Sequence, residues 1–502
     1  MARFSLAEAP EVFVSTASMS ASVSRAVTAG KLRKLGSRLY TKNLTEDPAS
    51  LIRRHLWDVV AGYFPNAMVA DRTALEQRPA SDGSVFLVAS KGGNISLPGL
   101  TLRARADGQC LSGDYRIRDN LHCMSTARAL LENTRPTRAR SGVARTLKPV
   151  EMEQWLERFL RDSGEDRLNA LRDQIKELAP ILKLKVGAAR LDETIGALLG
   201  TRHAKLLSAA GRARGRGVSF DPRRVELLDK LADALRRFPP EPVRPWRPVG
   251  TAAINQAFFE AYFSNFIEGT EFAIEEAEAI VFHGVIPSDR PADAHDILGT
   301  FRLVSNPDEM NRLPANPQAF LDLLRERHRR IMEGRPEMGP GVFKDRSNQF
   351  GPLVFVAPGD VEGTLREGFR IYQRLIDPLH RAIFMMFLVS EVHPFLDGNG
   401  RLARVMMNAE LAAADQIRVI IPIVYRSNYI SALRALSANA WPEPIIRTLA
   451  FAQRYVAAVP WDSVQRAVSV LRRTNALVRP EQGDEEGIRL RIPDAADLAE
   501  EP

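Results

Sequence analysis

Residues 393–404 read HPFLDGNGRLAR, and this stretch decides the fold around it. The preceding segment, LHRAIFMMFLVSEV, places apolar residues at helical spacing, and RLARVMMNAELAAA, which follows, is rich in strong helix formers. Pro394 disfavours continuation of the first helix, and Gly398 and Gly400 favour a tight turn. The sequence therefore predicts a helix, a short Gly-rich loop and a second helix.

The residue types in this loop suit a polyphosphate and a proton transfer. A Gly-rich loop that leads into a helix N-terminus is a ready anion site. Arg401 and Arg404 lie on one side of the second helix, where two guanidinium groups match phosphate oxygens. Asp397 is suited to hold Mg²⁺ against those phosphates. His393 is suited to accept a proton from an attacking hydroxyl near neutral pH.

The same stretch resembles the signature of the Fic family, HPFx(D/E)GN(G/K)RxxR, and matches it at every specified position. The resemblance covers about residues 250–457. It implies an all-α domain that uses ATP and Mg²⁺ to transfer AMP onto a Ser, Thr or Tyr hydroxyl of a target protein. It also implies that His393 is the catalytic base and Asp397 the metal ligand. The residues that it assigns to the nucleotide phosphates are Gly398, Asn399, Gly400, Arg401 and Arg404.

Upstream, residues 264–269 read SNFIEG and resemble the inhibitory motif of the family, (S/T)xxxE(G/N), with Ser264, Glu268 and Gly269 at its specified positions. The resemblance implies that Glu268 pairs with Arg404 and fills the space that the γ-phosphate of ATP needs. The residues alone also fit a cap-like serine and a surface glutamate.

Two further segments resemble parts of the same family. Glycines, a proline and β-forming residues predict a hairpin over 342–357, similar to the flap that holds a target peptide by strand addition, with Lys344 at its basic position. The segment YRSNYISALRALSAN resembles the adenine-contacting region, and Tyr429 is its best candidate. Core and cap roles for both remain an alternative.

Near the N-terminus, residues 19–43 read MSASVSRAVTAGKLRKLGSRLYTKN. A short helix, a glycine and a basic β-like stretch follow one another in the order of a winged helix-turn-helix. Ser22 and Arg25 are then candidates for the major groove, and Arg33 and Lys34 for the DNA backbone. Short sequence segments up to about residue 135 resemble the antitoxin partner of abortive-infection toxin–antitoxin systems, which implies a DNA-binding or regulatory module. A winged domain used only for protein contacts is the alternative.

Composition changes along the chain predict a mainly α protein with several parts. The two resemblances imply an α+β winged-helix antitoxin-like region over 1–147 and an all-α Fic domain with its hairpin flap over 249–460, and helical spacing between them predicts a connector over 150–238. Residues 239–248, PPEPVRPWRP, contain five prolines and predict a stiff linker. The largely acidic C-terminus predicts a flexible tail over 470–502.

Bulk properties agree with a soluble, cytoplasmic protein without a membrane partner. The chain is 45% hydrophobic and 26% charged, has only 2 cysteines, and contains no long apolar run or secretory leader pattern. A net charge of +8 is compatible with duplex DNA as a partner, and a homo-oligomer remains open.

We therefore expect a protein adenylyltransferase held in check by Glu268, with DNA binding through the N-terminal region as a second function. One alternative is a nucleotide-sensing transcriptional regulator of the toxin–antitoxin type, although the intact His393 argues against an inactive domain. Another is a Fic enzyme that removes AMP or transfers a different phosphate-bearing group.

Overall fold

The computed structural model describes residues 9–106, 108–138, 142–247 and 249–498. Two compact units divide the chain, Met1–Gly215 and Arg216–Pro502. Helices predominate, as the sequence predicts, and strands are concentrated in the first unit. In the described ranges no helix has the length and apolar character needed to cross a bilayer.

The first unit combines two sheets with helices. Its strands are β1 (Val12–Val14), β2 (Arg33–Gly36), β3 (Leu39–Thr41), β4 (Ala67–Val69), β5 (Ser84–Val88), β6 (Gly93–Leu97), β7 (Leu100–Arg105), β8 (Tyr115–Arg118) and β9 (Leu121–Cys123). Its helices are α1 (Ser20–Thr28), α2 (Pro48–Arg54), α3 (Leu56–Tyr63), α4 (Asp71–Glu76), α5 (Thr126–Asn133), α6 (Pro149–Ser163), α7 (Glu165–Ile181), α8 (Lys185–Leu198) and α9 (Ala209–Gly215).

The small sheet has the antiparallel order β1-β3-β2, and the larger one the order β6-β7-β5-β4-β9-β8 with two parallel pairs, β4–β9 and β5–β7. Buried residues of the larger sheet, such as Leu87 and Leu102, share one apolar core with Leu156 of α6, Leu171 of α7 and Leu191 of α8. The helices predicted as a connector therefore begin inside the first unit and are part of its core.

The predicted helix and basic hairpin near the N-terminus are present as α1, β2 and β3. Arg25 and Lys34 are exposed, and Ser22 is half-buried. Arg33 donates to the backbone oxygen of Glu46, so its guanidinium is already engaged. Between residues 9 and 19 the structure contains only β1 and a 3₁₀ turn, so those described residues do not supply the helix that precedes a recognition helix.

The second unit is almost entirely helical. Its helices are α10 (Pro222–Arg237), α11 (Thr251–Ile267), α12 (Ile274–His283), α13 (Pro291–Val304), α14 (Pro307–Met310), α15 (Pro317–Ile331), α16 (Val361–Tyr372), α17 (Pro378–Val392), α18 (Asn399–Ala412), α19 (Arg426–Asn439), α20 (Glu443–Ala458), α21 (Val464–Arg473), α22 (Pro480–Glu486) and α23 (Ala495–Leu498). The predicted hairpin is β10 (Gln349–Phe350) with β11 (Leu353–Val354).

Helix α17 forms the centre of this unit. Nearly all of its residues are buried, which explains why its sequence is apolar on every side. Phe384 and Phe387 have no exposed surface, and they share one core with residues of α18 such as Leu402. The two helices that flank the loop are thus fixed relative to each other by close-packed side chains.

The proline-rich segment does not separate the two compact units. Helix α10 precedes it, yet Leu228 and Leu231 of that helix lie in the core of the second unit. Pro245 forms a β-bridge with Gln416, and the Trp246 amide donates to the oxygen of Asp415 at 2.8 Å. The boundary between the two units lies before α10, because the apolar face of α10 is buried against α16 and α17.

The C-terminal segment is packed over its described residues, so the expected flexible tail is wrong for 470–498. Leu471 and Leu490 join the apolar cluster that contains Trp461. Arg491 donates to the Asp497 carboxylate, which offsets part of the acidic charge. Composition alone suggested disorder because it does not reveal that these apolar residues meet a buried surface. Residues 499–502 lie outside the described ranges.

Candidate active site

The loop between α17 and α18 has a fixed and unusual backbone. Helix α17 ends at Val392, and its C-cap residue, His393, adopts the left-handed conformation with φ of 52°. Gly398, with φ of 72°, is the residue from which α18 starts. Between them, Phe395 is completely buried and its ring stacks on His328 at a centroid distance of 3.7 Å. Pro394 and Phe395 thus turn the chain sharply and anchor the turn in the core.

Asn399 holds this turn closed. Its Oδ1 accepts from the Phe395 amide at 2.9 Å, and its Nδ2 donates to the Phe395 oxygen at 2.9 Å. Asn348 donates to the same oxygen, also at 2.9 Å. The side chain of Asn399, which the resemblance assigns to phosphate binding, therefore stabilises the turn of the loop.

His328 is a support that sequence reasoning missed. The Gly341 amide donates to its Nδ1 at 2.8 Å, so the hydrogen is on Nε2, which donates to the Asp397 oxygen at 2.9 Å. Burial lowers the pKa of His328 to about 4, and the ring is neutral at pH 7. A single histidine on an amphipathic helix gives no sequence signal for this role.

His393 lies at the head of the loop in the tautomer that a general base needs. Its Nδ1 is 3.2 Å from the Ser390 oxygen, and since a carbonyl only accepts, Nδ1 carries the hydrogen. The lone pair is then on Nε2. The Phe355 ring stacks on the imidazole at 3.8 Å, and burial lowers the pKa of His393 to about 4. The ring is neutral at pH 7 and its Nε2 can accept a proton.

Asp397 presents one carboxylate oxygen outward. Its Oδ1 accepts from the Gly398 amide at 2.7 Å, while the side chain is 43% exposed. Within the described ranges no cluster of three or more His, Cys, Asp or Glu residues forms a metal site. A single outward carboxylate fits Mg²⁺ only in the usual nucleotide-site arrangement, in which phosphates and water supply the other ligands.

Arg401 is buried beneath the loop, where its Nη2 lies 3.7 Å from Asp397 Oδ2, and its predicted contact with phosphate stays a prediction. The side chain is 3% exposed, and its Nη1 donates to the Asp296 carboxylate at 2.7 Å. Asp296 also accepts from Arg335 at 2.8 Å. The guanidinium of Arg401 therefore fixes the first turn of α18 to α13, because a buried carboxylate needs this opposite charge.

Arg404 is held by the segment that resembles the inhibitory motif. Its Nε donates to the Ser264 hydroxyl at 2.9 Å, and its Nη2 donates to the Ser264 oxygen at 2.8 Å. The same Nη2 donates to the Glu268 carboxylate at 2.7 Å. Only the fold brings these residues together, since α11 and α18 are more than a hundred residues apart in sequence.

Glu268 also occupies the anion position of the loop. A Cβ placed on Gly400 would lie 2.1 Å from Glu268 Oε1, so the carboxylate rests directly on the first turn of α18. A helix N-terminus favours negative charge there. Gly269, with φ of 95°, follows immediately and lets the chain leave α11. One carboxylate thus contacts both the helix N-terminus and Arg404.

Tyr429 is buried, and its predicted contact with adenine stays a prediction. The residue is 1% exposed, and its hydroxyl donates to the Met386 sulfur at 3.3 Å beside the Arg404 guanidinium. The alternative left open by the sequence, a core residue, describes Tyr429 in this structure.

The hairpin β10–β11 lies over the loop and is fixed to it at its base. The Lys344 amide donates to the Pro394 oxygen at 2.9 Å, and Lys344 Nζ donates to Asn348 Oδ1 at 2.7 Å. Burial lowers the pKa of Lys344 to about 8. Phe350 and Val354 of the hairpin are exposed. We call β10–β11 the flap from here on.

Comparison with known proteins identifies the domain. Residues 319–411, which include the loop, match the Fic/DOC family. The chain therefore contains a Fic domain. It is 28% identical over 244 residues to protein adenylyltransferase Fic of Drosophila ananassae, and 27% identical over 244 residues to that of Drosophila melanogaster.

The matched part is limited in extent. The first of these alignments covers 46% of this chain, and the chain spans about half the length of that relative, 46%. Among solved structures, Fic-1 from C. elegans is similar with 18% identity and a TM-score of 0.35, over 65% of this chain and 99% of that one. A structure of IbpAFic2 covalently tethered to Cdc42 has 14% identity and a TM-score of 0.31, over 60% and 87%.

The buried pair of Arg401 and Asp296 can be tested by its contribution to stability. Asp296→Asn leaves two guanidinium groups without their shared carboxylate and should lower the free energy of opening of α18 by about 3–5 kcal/mol. Amide hydrogen exchange of α18 peptides measures this quantity. Asp293→Asn is the matched control, since it removes the 34% exposed partner of Arg335 and should cost less than about 1 kcal/mol. Equal effects of the two changes would contradict the assignment.

Proposed function

We propose that the second unit is a protein adenylyltransferase that transfers AMP from ATP to a Ser, Thr or Tyr hydroxyl of a target protein. The observation that carries the proposal is His393 at the head of an anion-binding loop, with the lone pair on Nε2 and the Nδ1 hydrogen held by Ser390. The named adenylyltransferase relatives and the complete motif support the same reaction class.

The proposed reaction is an in-line displacement at the α-phosphate. His393 Nε2 accepts the proton of the target hydroxyl, and the hydroxyl oxygen forms a bond to the α-phosphorus. The bond to the bridging oxygen breaks, and pyrophosphate leaves. The amide groups in the first turn of α18 stabilise the negative charge on the phosphates. Asp397 would hold Mg²⁺, which supplies further charge neutralisation when it is bound.

We further propose that Glu268 inhibits this reaction. Its carboxylate rests on Gly400 and pairs with Arg404, so it takes both the helix N-terminus and the guanidinium that a γ-phosphate would use. ATP in a productive pose must displace the carboxylate. The side chain of Glu268 is 31% exposed, whereas that of Arg404 is 6% exposed, so the glutamate is the partner with room to move.

DNA binding by the first unit is a second candidate function. The exposed side chains of Arg25 on α1 and Lys34 on β2 are the observation that favours it. Their positive charges face solvent on a helix and a hairpin of the kind that meets DNA phosphates. Such a module would make the protein a nucleotide-responsive regulator as well as an enzyme.

Catalysis should depend on His393. His393→Ala should lower AMP transfer by about 10²- to 10⁴-fold, because the other neutral imidazole at the loop, His328, has both ring nitrogens in hydrogen bonds, while ATP binding persists. Labelling with radioactive ATP in a cell lysate measures transfer. His283→Ala, at an exposed histidine, is the control and should leave labelling unchanged. Full labelling by the His393 variant would refute the assignment.

Inhibition should depend on the charge of Glu268. Glu268→Gln should raise labelling about tenfold or more, since a hydrogen bond between charged groups contributes about 1.5–3 kcal/mol. Glu268→Gly should raise it further, and Arg404→Ala should abolish the gain. Glu271→Gln, at a 44% exposed glutamate nearby, is the matched control. If Glu268→Gly instead lost the ability to remove AMP from a modified target, AMP removal would be the activity that Glu268 serves.

DNA binding predicts a steep dependence on salt. The full chain should shift its own promoter DNA at low salt, and Lys34→Ala should weaken binding to all sequences alike and reduce the slope of log affinity against log salt by about 1, the value for one lost phosphate contact. Lys91→Ala, at an exposed lysine elsewhere in the unit, is the control. No shift at low salt would exclude this function.

A further inference from the structure

Helix α10 reaches the active site from outside the segment that matches the Fic/DOC family, residues 319–411. Its N-cap, Asp221, accepts from the amides of Arg223 and Arg224 at 2.9 and 3.3 Å. The backbone of Arg224, in the first turn of α10, is therefore held by the N-cap. The Arg224 side chain is only 14% exposed and makes two contacts, one with the flap and one with α17.

The first contact is to the flap. Leu353 pairs with Phe350 and Val354 with Gln349, and the Phe355 amide donates to the Asn348 oxygen at 3.1 Å. In an antiparallel pair of strands, hydrogen-bonded and non-hydrogen-bonded residue pairs alternate, and the backbone groups of a non-hydrogen-bonded pair point away from the partner strand. Val354 is adjacent to Phe355, whose amide bonds across the hairpin, so Val354 belongs to a non-hydrogen-bonded pair. The Val354 oxygen points outward in this way and accepts from Arg224 Nη2 at 2.8 Å.

The second contact is to the catalytic helix. Arg224 Nη1 donates to Glu391 Oε1 on α17. Glu391 is 2% exposed, and its other oxygen accepts from the Ser437 hydroxyl at 2.5 Å. Burial raises the pKa of Glu391, and the charge of Arg224 opposes that shift. One guanidinium thus bridges the flap and the last turn of α17, two residues before His393.

These contacts converge on the imidazole. Val354, which Arg224 holds, is followed directly by Phe355, and the Phe355 ring stacks on His393 at 3.8 Å. Arg224 therefore restrains both the strand that carries the stacking ring and the helix that carries the base.

The segment before α10 is itself immobilised against the chain that follows the flap. The Ser219 hydroxyl donates to the Gly359 oxygen at 3.1 Å, and the Asp221 amide donates to the Thr364 hydroxyl at 2.9 Å. At Gly363 the backbones approach so closely that a Cβ would lie 2.0 Å from the Ser219 oxygen. The base from which Arg224 extends is thus rigid, as a clamp requires.

We propose that Arg224 is a positioning residue for AMP transfer: it clamps the flap to the catalytic helix so that a target segment on the flap presents its hydroxyl to His393 Nε2. The functional part rests on the proposed adenylyltransferase activity. Arg224 touches neither the first turn of α18 nor Arg404, so ATP binding does not depend on it. Its loss lowers the rate of transfer and leaves the KM for ATP unchanged, because a misplaced acceptor slows the reaction without affecting the nucleotide.

The test uses the full chain with Arg224→Met and Glu391→Gln combined, which avoids leaving a buried carboxylate without its partner. Hydrogen exchange at the flap, measured without nucleotide, should accelerate about tenfold or more at the Phe355 amide. Self-labelling with radioactive ATP should fall about 10- to 100-fold at an unchanged KM for ATP. Two controls separate the clamp from general damage. Glu391→Gln alone keeps the bond to Val354, and Asp229→Asn removes the 3.0 Å pair with Arg374 elsewhere on α10.

Unchanged flap exchange in the double variant would overturn the clamp. Equal acceleration in Asp229→Asn would overturn it as well, since loosening of α10 would then explain the effect. Faster exchange with undiminished self-labelling would overturn the positioning role. If the wild-type protein labels neither itself nor any lysate protein, the proposed function fails, and flap exchange alone then decides whether Arg224 restrains the flap.

Discussion

The active site depends on one backbone constraint: the abrupt end of α17 at Val392, with His393 in a left-handed conformation, and the start of α18 after Gly398. This turn brings a base and a helix N-terminus together. Side chains that take no part in the proposed chemistry stabilise this turn. Asn399 forms hydrogen bonds with both the amide and the oxygen of Phe395, and His328 donates to the Asp397 oxygen. Polar groups in such a buried turn must find partners within the protein, and these residues provide them.

Two arginines on one helix show how burial separates residues that look equivalent. Arg401 and Arg404 are both nearly inaccessible, yet Asp296, which also contacts Arg335, neutralises the first, and the partly exposed Glu268 neutralises the second. The pair of Arg401 and Asp296 is buried, and it fixes α18 to α13. The pair of Arg404 and Glu268 has one partly exposed partner, and the proposed inhibition depends on that difference, because an incoming phosphate would have to replace the carboxylate of Glu268.

Elements outside the matched segment complete the site. Helix α11 supplies Ser264 and Glu268, and helix α10 supplies Arg224 to the flap. The segment that matches the Fic/DOC family, residues 319–411, therefore contains His393 and the loop, but not Glu268 or Arg224, which contact Arg404 and the flap.

The sequence by itself determined the helix–loop–helix, the helical character of the second unit and the position of the flap, because proline, glycine and apolar spacing act over a few residues. The resemblance of SNFIEG to an inhibitory motif also implied that Glu268 and Arg404 pair, and the structure contains this ion pair. Only the tertiary structure decided that Arg401 faces Asp296, that Tyr429 is enclosed, that α10 belongs with the catalytic unit and that the C-terminal segment packs. These outcomes depend on which surface each side chain meets, and contacts between distant segments leave no periodic trace in the sequence.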